Sequence, residues 1–454
     1  MSNSFWTVNL TEETPRTHEG AEACTLTPEQ QLRRSVLACM LWENTFYESG
    51  IGIADRIEAL VPQVEPEKVA SLAIEARGKY KLRSVPLWLA KSMLKTQEHK
   101  KFVRTVLERV IQRPDELAKF VEFCGKPLPA QVKKGLARAF TKFNEYQLSK
   151  WKSGDNFNLR DVMFLVHPKP KDEDQALIWA KLANKELLAP DTWEVALSAG
   201  ADKKETFERL LTEKKLGALA LLRNLRNMVQ SGVNPDLIEN ALSNINTERI
   251  LPYRFIAAQR YAPDYTKDLE RAMFKCIAGA TKLKGKTVLL VDVSGSMDHE
   301  LSQRSDLLRL DAACGLAMIL REVCEDIKIY TFSDDLKKIS EARVGFDLQK
   351  SIINSQSHRC TFLAQSMETL HKSNKDYDRM VVITDEQTHD GIKKPLGKKN
   401  YMINVGSYAN GVGYGADWIH LDGFSEAIVD WITVSESEDR NGWLQSLLLD
   451  FKFE

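Results

Sequence analysis

Apolar residues recur with helical spacing through the first part of the chain. Within Phe102–Ile111, two neighbouring rows of apolar residues repeat every four positions, which predicts a helix with one wide apolar face. Pro114 ends this pattern, and Asp115 follows it where an acidic residue favours the first turn of the next helix. Similar segments, separated by short turns that contain Pro or Gly, continue from about residue 28 to residue 278. We therefore predict an all-α domain of stacked helix pairs, although no strict repeat period is visible.

The pattern changes at about Lys284, where runs of β-branched residues and leucine begin to alternate with helical segments. Strands are predicted at Thr287–Val293, Ile327–Phe332, Met380–Thr384, Tyr401–Val405 and Trp418–Leu421. Helices are predicted at Leu307–Cys324, Phe346–Asn354, Phe362–Ser373 and Glu426–Val434. Strands that alternate with helices form a parallel sheet covered on both faces. The second part of the chain is therefore predicted to be an α/β domain.

Length and composition narrow the class of protein. A chain of 454 residues is too long for one ordinary core and favours two or three domains. Its 43% hydrophobic residues exclude a disordered chain, and a mean hydropathy of −0.33 argues against an integral membrane protein. The N-terminal residues show no signal-peptide pattern, and the seven cysteines contain no Cys-x-x-Cys pair. We expect a cytoplasmic protein without disulfides or a zinc ribbon.

The net charge of zero hides an uneven distribution. Residues 1–290 hold 45 Lys and Arg against 36 Asp and Glu, a net charge of +9, whereas residues 291–454 hold 18 against 27, a net charge of −9. Residues 51–170 alone carry 23 basic residues against 13 acidic ones. The two parts are therefore expected to meet different partners. The basic part can attract a polyanion such as nucleic acid, although many basic surfaces bind nothing.

A turn rich in hydroxyl groups follows the first predicted strand of the α/β domain. It contains Asp292, Ser294 and Ser296, whose oxygens can converge on one hard cation. Asp385 ends another buried strand, so a second carboxylate is expected at the same edge of the sheet, and Thr361 precedes a predicted helix. The alternative is a Ser-rich turn that only caps a helix.

This set of residues, in this order, resembles the metal-ion-dependent adhesion site of von Willebrand factor A domains. The resemblance covers the α/β domain and implies that Mg²⁺ or another divalent cation is bound, partly through water. The implied ligands are Asp292, Ser294, Ser296, Thr361 and Asp385. Arg359 and Cys360 stand where that family often has glycines.

Four segments of the first part carry a second resemblance. They are Arg16–Gly20, Phe164–Pro170, Ala220–Met228 and Arg249–Phe255. These segments look like the TROVE module of the Ro autoantigen family, in which this module precedes a von Willebrand factor A domain. The resemblance implies a multidomain α and α/β protein, with an N-terminal all-α helical-repeat (HEAT-like) ring and a C-terminal doubly wound von Willebrand factor A-like domain. The implied boundaries are 1–20 for an N-terminal extension, 21–280 for the ring and 281–454 for the second domain.

Ro proteins hold small non-coding Y RNAs on the outer face of the ring and take single-stranded 3′ ends of misfolded RNAs through its central hole. The resemblance implies the same partners here, in RNA quality control or maturation, with an exoribonuclease as a candidate protein partner. Family positions that contact RNA correspond to Lys150 and His167, with Lys152 and Arg160 between them. Gly154 falls where the family has a basic residue. We expect a monomer that does not bind membranes and has no catalytic residues.

The residues around these positions are compatible with RNA binding on physical grounds. Lys and Arg neutralise phosphates without reading sequence. The basic tract also contains Lys133, Lys134, Arg138 and Lys142. Aromatic residues that could stack on unpaired bases lie among them, at Phe143, Tyr146, Trp151 and Phe157. The alternative is that these aromatics belong to the core, the lysines solvate a helix, and His167 caps a helix end.

Other functions find less support. No Gly-x-Ser-x-Gly or His-Glu-x-x-His motif is present, and the glycines around residues 279–287 lie before a strand, unlike a phosphate-binding loop. His299 and His389 follow the two metal-site segments but have no assigned role. Two alternatives stay open. One is a metal-dependent protein-interaction scaffold without RNA binding, and the other is a metal-dependent nuclease.

Overall fold

A computed structural model of the chain describes residues 14–38, 41–151, 156–247, 250, 253–303, 305–406, 408–425 and 427–436. Lys152 and Gly154 lie outside these residues. Within the described residues, the first part of the chain is helical and the second part is an α/β domain, so the predicted fold class is confirmed. No helix in these ranges combines the length and the apolar character that spanning a membrane requires.

The helical part contains seventeen α-helices in the described ranges. The first nine are α1 (Pro28–Leu37), α2 (Gly50–Leu60), α3 (Pro66–Gly78), α4 (Ser84–Ser92), α5 (Gln97–Lys100), α6 (Val103–Val110), α7 (Pro114–Cys124), α8 (Ala130–Phe140) and α9 (Glu145–Lys150). The next eight are α10 (Leu159–Val166), α11 (Glu173–Asn184), α12 (Trp193–Ser198), α13 (Lys203–Thr212), α14 (Ala218–Gln230), α15 (Pro235–Ser243), α16 (Tyr253–Tyr261) and α17 (Thr266–Ile277).

Signals at the helix starts explain why these segments form separate helices. Proline occupies the first turn of α1, α3, α7 and α15, where its missing N–H leaves no helical hydrogen bond unmade. Asn144 and Asn158 cap α9 and α10, because each side chain accepts a hydrogen bond from the backbone of the third helical residue. The apolar face predicted around α6 is buried. Pro114 opens α7, as the sequence predicts.

The second part is built from eight strands and four α-helices within the described residues. The strands are β1 (Leu283–Asp292), β2 (Glu300–Ser302), β3 (Ser305–Leu308), β4 (Cys324–Phe332), β5 (Leu336–Lys338), β6 (Arg379–Thr384), β7 (Lys399–Asn404) and β8 (Ile419–Asp422). The helices are α18 (Arg309–Val323), α19 (Gly345–Ile353), α20 (Leu363–Ser373) and α21 (Ala427–Glu436).

Six of the strands form one sheet in the order β5-β4-β1-β6-β7-β8. All neighbouring pairs are parallel except β4 and β5, which are antiparallel. The chain places β4 on one side of β1 and β6 on the other, so the direction in which the sheet grows reverses at β1. In such doubly wound sheets, a crevice opens at the carboxyl ends of the strands beside the reversal.

All the strands and helices predicted for this domain are present. The sequence does not predict β2, β3 or β5, because strands of three or four residues are too short to show an alternating pattern. β1 and β4 begin earlier than predicted, through polar positions such as Lys286 and Asp326, which pair with each other in register. Hydrogen bonding of the backbone, rather than apolar character, extends the strands there.

The α/β domain contacts both ends of the helical array. At the N-terminal end α1 packs against β8, and at the other end α16 and α17 pack against α18. The segment before α1 also lies on the α/β domain: the Thr17 hydroxyl donates to the Thr388 carbonyl at 2.8 Å, and the Cys24 N–H donates to the Gly411 carbonyl at 2.9 Å. Within the described residues, the second domain therefore bridges the two ends of the array.

Candidate functional site

The five predicted metal-binding residues all lie at the carboxyl edge of the sheet, which we call the metal edge (Asp292, Ser294, Ser296, Thr361 and Asp385). Asp292 ends β1 and Asp385 directly follows β6, so the two carboxylates stand on neighbouring strands at the reversal point. The Gly295 N–H donates to the Arg359 carbonyl at 3.1 Å, which joins the Ser-rich turn to the loop that carries Thr361.

Asp292 is fully buried and is held by its own turn. One carboxylate oxygen accepts the Ser294 N–H at 2.9 Å, and the other accepts the Thr384 hydroxyl at 2.6 Å. The hydroxyls of Ser294 and Ser296 lie 3.3 Å apart. Burial, together with the nearby charge of Asp385, raises the pKa of Asp292 to about 7. A cation at this position would relieve the repulsion between the two carboxylates.

Thr361 and Asp385 are connected through the loop that follows β6. The Thr361 carbonyl accepts the Thr388 hydroxyl and the His389 N–H, each at 2.9 Å. Thr361 itself is buried. The chain segments that carry the five residues are therefore hydrogen-bonded to one another or adjacent in the sheet.

The donor chemistry of the metal edge fits a hard divalent cation. It offers carboxylate and hydroxyl oxygens, the ligands that Mg²⁺ prefers. Within the described residues, no group of three or more His, Cys, Asp and Glu is arranged to hold a metal ion. A cation held at this edge would therefore need the hydroxyls of the two serines and Thr361 as well as the two aspartates.

Sequence reasoning missed two residues that engage the metal edge. The buried Arg309 guanidinium donates to the Asp385 carboxylate at 3.1 Å, and the Tyr47 hydroxyl donates to the same oxygen at 2.7 Å. Arg309 is the first residue of α18, whereas Tyr47 belongs to the helical part, between α1 and α2. Arg309 therefore supplies positive charge where a metal would, and Tyr47 joins the two domains.

Aromatic rings cover this side of the metal edge. Phe46 stacks on His299 with ring centroids 4.0 Å apart, and the Tyr47 ring lies 4.9 Å from His18 and 5.5 Å from Tyr408. His299, which the sequence places near the edge without a role, thus takes part in the packing between the domains. An external partner would have to displace these rings to reach Asp385 from this side.

A buried ion pair fixes the same junction from α1. Arg34 and Glu386 pair directly, with side chains that are 1% and 0% exposed. Arg34 also donates to the backbone carbonyls of Tyr408 at 2.6 Å and Asn410 at 3.0 Å. The Gly413 N–H donates to the second Glu386 oxygen at 2.8 Å. The guanidinium and the carboxylate are thus paired and hydrogen-bonded, which is the condition for burying charges.

His420 extends this ion pair inside the α/β domain. Its Nε2 lies 2.9 Å from a Glu386 oxygen and its Nδ1 lies 3.4 Å from Asp422. Burial opposes a charge on the imidazole, but Glu386 and Asp422 outweigh it and raise the pKa of His420 to about 9. Burial likewise opposes ionisation of Glu386, yet His420 and Arg34 lower the pKa of Glu386 to about 2. At neutral pH the junction therefore contains two cations and two anions.

The predicted RNA-binding residues within the described ranges lie on α8, α9 and α10 or at their ends. Lys133 and Lys134 are exposed on α8, and neither side chain forms an ion pair within the described residues. Arg138 pairs with Glu108 at 3.2 Å on the surface. Two unpaired lysines next to each other are free to take phosphates.

Lys142 is already engaged. Its amine donates to the carbonyls of Glu108 and Ile111 at the end of α6. Burial lowers the pKa of Lys142 to about 8, and the nearby acids only partly oppose this. Lys142 therefore stabilises a helix end and offers less charge to a ligand than the sequence suggests.

Some of the residues that the family resemblance assigns to RNA binding also make contacts within the protein. Lys150 pairs with Glu194 at 3.3 Å, and the Arg160 Nε donates to the Ala183 carbonyl at 2.6 Å. His167 is exposed and caps α10 with a left-handed backbone, φ 49°. The structure thus gives His167 the helix-cap role and leaves its ring accessible. Lys152 lies outside the described residues.

The four aromatic residues of the basic tract divide between core and surface. Phe143 is buried, as the alternative interpretation holds. Tyr146 is 53% exposed. Trp151 is half-buried beneath the Arg113 guanidinium, which lies 3.7 Å from the ring, and Phe157 lies 4.8 Å from the Lys126 amine. Tyr146 is therefore the one of the four whose ring is most open to an unpaired base.

The folded chain is thus a helical array closed by a doubly wound domain with an oxygen-rich metal edge. Comparison with protein-family models gives a TROVE domain at residues 180–284 and a Ro60 vWA domain at residues 286–401. The succession of these two domains supports a likeness to the Ro autoantigen family, as the sequence motifs predict. This family consists of RNA-binding ribonucleoproteins.

Two similar proteins illustrate the extent of the likeness. The crystal structure of the Ro (RSR) protein of Deinococcus radiodurans matches with a TM-score of 0.58 and 18% identity, covering 90% of this chain and 99% of that one. This match shows the same fold. Telomerase protein component 1 of Mus musculus is 35% identical over 78 residues, or 16% of this chain. The aligned segment spans only 3% of that curated relative.

Proposed function

We propose that this chain is a non-catalytic RNA-binding protein that holds small non-coding RNA on the basic surface around α8–α10. It also takes single-stranded 3′ ends of misfolded RNAs, in RNA quality control or maturation, with an exoribonuclease as a candidate partner. The proposal includes a monomeric state and a cytoplasmic location. The observation that carries it is the succession of a TROVE domain and a Ro60 vWA domain in one chain.

The charges of the basic surface support this proposal. Lys133 and Lys134 stand exposed without acidic partners in the described part of the chain, so their charges are available to phosphates. The excess of acidic residues in the α/β domain, a net charge of −9 over residues 291–454, keeps a polyanion off that domain. RNA is therefore directed to the helical part.

Reversing the two unpaired lysines tests this surface. We expect Lys133→Glu together with Lys134→Glu to weaken binding of a structured RNA by about tenfold or more at 0.1 M salt, because two phosphate contacts become repulsive. The slope of log affinity against log salt is expected to fall in magnitude by about 2. Fluorescence anisotropy with a labelled RNA measures both quantities.

Lys393→Glu together with Lys394→Glu is the matched control. This neighbouring pair is also exposed and gives the same change of net charge, but it lies in the acidic α/β domain. We expect its RNA affinity to stay within about twofold of the unaltered chain. Equal losses in the two double variants would mean that only overall charge matters and would contradict a defined surface on α8.

We propose in addition that the metal edge holds a divalent cation such as Mg²⁺. Asp292, Ser294, Ser296, Thr361 and Asp385 would hold it, directly or through water. The cation would supply positive charge between two buried carboxylates, the charge that Arg309 now supplies to Asp385. Its role is structural, since it would lie beside the contact that Tyr47 makes between the domains.

Arg309→Gln tests whether the guanidinium and a cation substitute for each other. Removing the guanidinium leaves Asp385 without its cationic partner, so we expect the variant to become more dependent on Mg²⁺ for stability than the unaltered chain. At a Mg²⁺ concentration 100 times the dissociation constant, linkage predicts stabilisation of about 2.7 kcal/mol. Thermal unfolding with Mg²⁺ and with a chelator measures this dependence.

The control is the double variant that carries Asp385→Asn together with Arg309→Gln. Because Asp385→Asn removes one of the carboxylate ligands, we expect this variant to show no response to Mg²⁺. Identical Mg²⁺ responses in the unaltered chain and both variants would contradict cation binding at the metal edge.

The rival scaffold function requires the metal edge to receive an acidic group from another protein. The contacts of Asp385 with Arg309 and Tyr47 argue against this, because both come from the same chain. The aromatic rings at Phe46 and His299 cover the same side. An edge that is engaged within the chain favours a bracing role over capture of a partner.

A further inference from the structure

A cavity at the junction of α14, α16 and β3 is lined by an unusual number of arginines. It encloses about 340 Å³, within the usual range for sites that hold small molecules. We call it the arginine cavity. The residues that matter here are Arg223, Arg226, Arg254, Arg260, Tyr261 and Asp306. It lies on other helices than the basic surface of α8–α10.

The charges of the lining are strongly unbalanced. Four arginines stand against one acidic residue, Asp306. The carboxylate of Asp306 accepts a hydrogen bond from the Tyr261 hydroxyl. Arg260 has its own partner in Asp311, with which it pairs at 2.5 Å, and it also donates to the Asp306 backbone carbonyl. The acids near the cavity are thus already engaged by Arg260 and Tyr261.

Arg223 and Arg226 are the two arginines that α14 contributes to the cavity. Both are exposed on α14, and neither forms an ion pair within the described part of the chain. Residues three positions apart lie on the same side of a helix, so the two guanidinium groups point to the same region. Two neighbouring guanidinium groups that have no acidic partner are well suited to bind a phosphate.

Tyr261 adds an aromatic surface to these charges. Its ring is 38% exposed and lies 4.8 Å from the Arg226 guanidinium, within the range of a cation–π contact. The hydrogen bond of its hydroxyl to Asp306 fixes the ring at the end of α16. A ring held in this way, beside two unpaired guanidinium groups, offers a base a stacking partner at a short distance from a phosphate site.

We propose that the arginine cavity binds one nucleotide of single-stranded RNA, with its phosphate on Arg223 and Arg226 and its base against Tyr261. The inference rests on the proposed RNA-binding function, because an RNA strand supplies the nucleotide. It separates two tasks of the molecule. The lysines of α8 take the backbone of any RNA, paired or unpaired, whereas the cavity accepts only a nucleotide whose base is unpaired.

The test measures binding of a fluorescein-labelled ten-nucleotide single-stranded RNA and of a blunt duplex of equal charge by anisotropy. We expect Arg223→Ala together with Arg226→Ala to weaken single-strand binding about tenfold and duplex binding less than about twofold. Tyr261→Leu is expected to weaken single-strand binding. Tyr261→Phe keeps the ring but loses its hydrogen bond to Asp306, so we expect it to weaken binding less than Tyr261→Leu does. Arg271→Ala, an exposed arginine of α17 outside the cavity lining, is the control and is expected to bind both RNAs normally.

Each other outcome decides against the cavity. If the double variant binds the single strand as Arg271→Ala does, the cavity is not a nucleotide site, and the proposed function survives when the α8 variant still loses affinity. Equal losses for single strand and duplex would mean that the arginines act only through overall charge. If AMP binds in the cavity but the RNA strand does not compete with it, the cavity serves free nucleotides. An unaltered chain that binds neither RNA overturns both proposals.

Discussion

Glu386→Gln is expected to lower the free energy of unfolding by about 3–5 kcal/mol. The substitution keeps the shape of the side chain but leaves the Arg34 guanidinium without its carboxylate, in a site where both side chains are almost inaccessible. It also removes one of the two anions that face His420, leaving Asp422. A buried charge without a partner is far more costly than the loss of an exposed pair. Urea unfolding followed by circular dichroism measures the change.

Glu368→Gln is the matched control. Glu368 pairs with Lys393 at 2.7 Å in the same domain, but both side chains are about half exposed. We expect a loss below about 1 kcal/mol, as for surface ion pairs in general. If Glu386→Gln were no more destabilising than Glu368→Gln, the ion pair of Arg34 and Glu386 would not hold the junction, and closure of the array would rest on other contacts.

His420 is expected to make stability depend on pH above neutrality. Its pKa is raised from an ordinary value of 6.5 to about 9 by Glu386 and Asp422 against the effect of burial. Folding therefore favours the protonated form. The contribution is complete below pH 6.5 and is lost as the pH rises through 9, and the whole shift corresponds to roughly 3 kcal/mol.

The measurement compares the unfolding free energies of the unaltered chain and of His420→Gln between pH 6 and pH 10. The difference between the two is expected to shrink as the pH rises, because only the unaltered chain loses a charged imidazole. Lys142 titrates in an overlapping range and has the opposite effect on stability, because its lowered pKa means that stability increases as the pH rises. Both proteins contain Lys142, so the difference between their unfolding free energies removes this contribution. A difference that does not change with pH would contradict a charged His420 at the junction.

Two contacts between the domains could not be predicted from the sequence. Arg34 and Glu386 are 352 positions apart, and Tyr47 and Asp385 are 338 positions apart. No local pattern marks such pairs, because each partner looks like an ordinary polar residue of a helix or loop. The same holds for Arg309, whose position at the start of a helix gives no sign that its guanidinium turns back to the metal edge. Contacts between domains are set by the assembled fold.

Local sequence patterns, in contrast, predict most of the helices and strands of the fold. The apolar runs of β1 and β6 predict buried parallel strands, and the acidic residues at their carboxyl ends predict that Asp292 and Asp385 share one edge. Proline and capping residues predict where helices such as α7 begin. The sequence could not predict which basic side chains are free to bind a ligand. Lys142 belongs to a basic tract, yet its amine is held by the carbonyls at the end of α6, because a helix end nearby leaves acceptors unpaired.

The central claim is that the helical part binds RNA through phosphate neutralisation and takes an unpaired end. The most direct test is binding of a structured RNA with a single-stranded 3′ tail, titrated from low to physiological salt. The account predicts an affinity near or below micromolar that falls tens-fold or more across this range and is higher with the tail than without it. Weak binding that responds neither to the tail nor to salt would contradict the claim and would leave the Ro family likeness as a statement about fold alone.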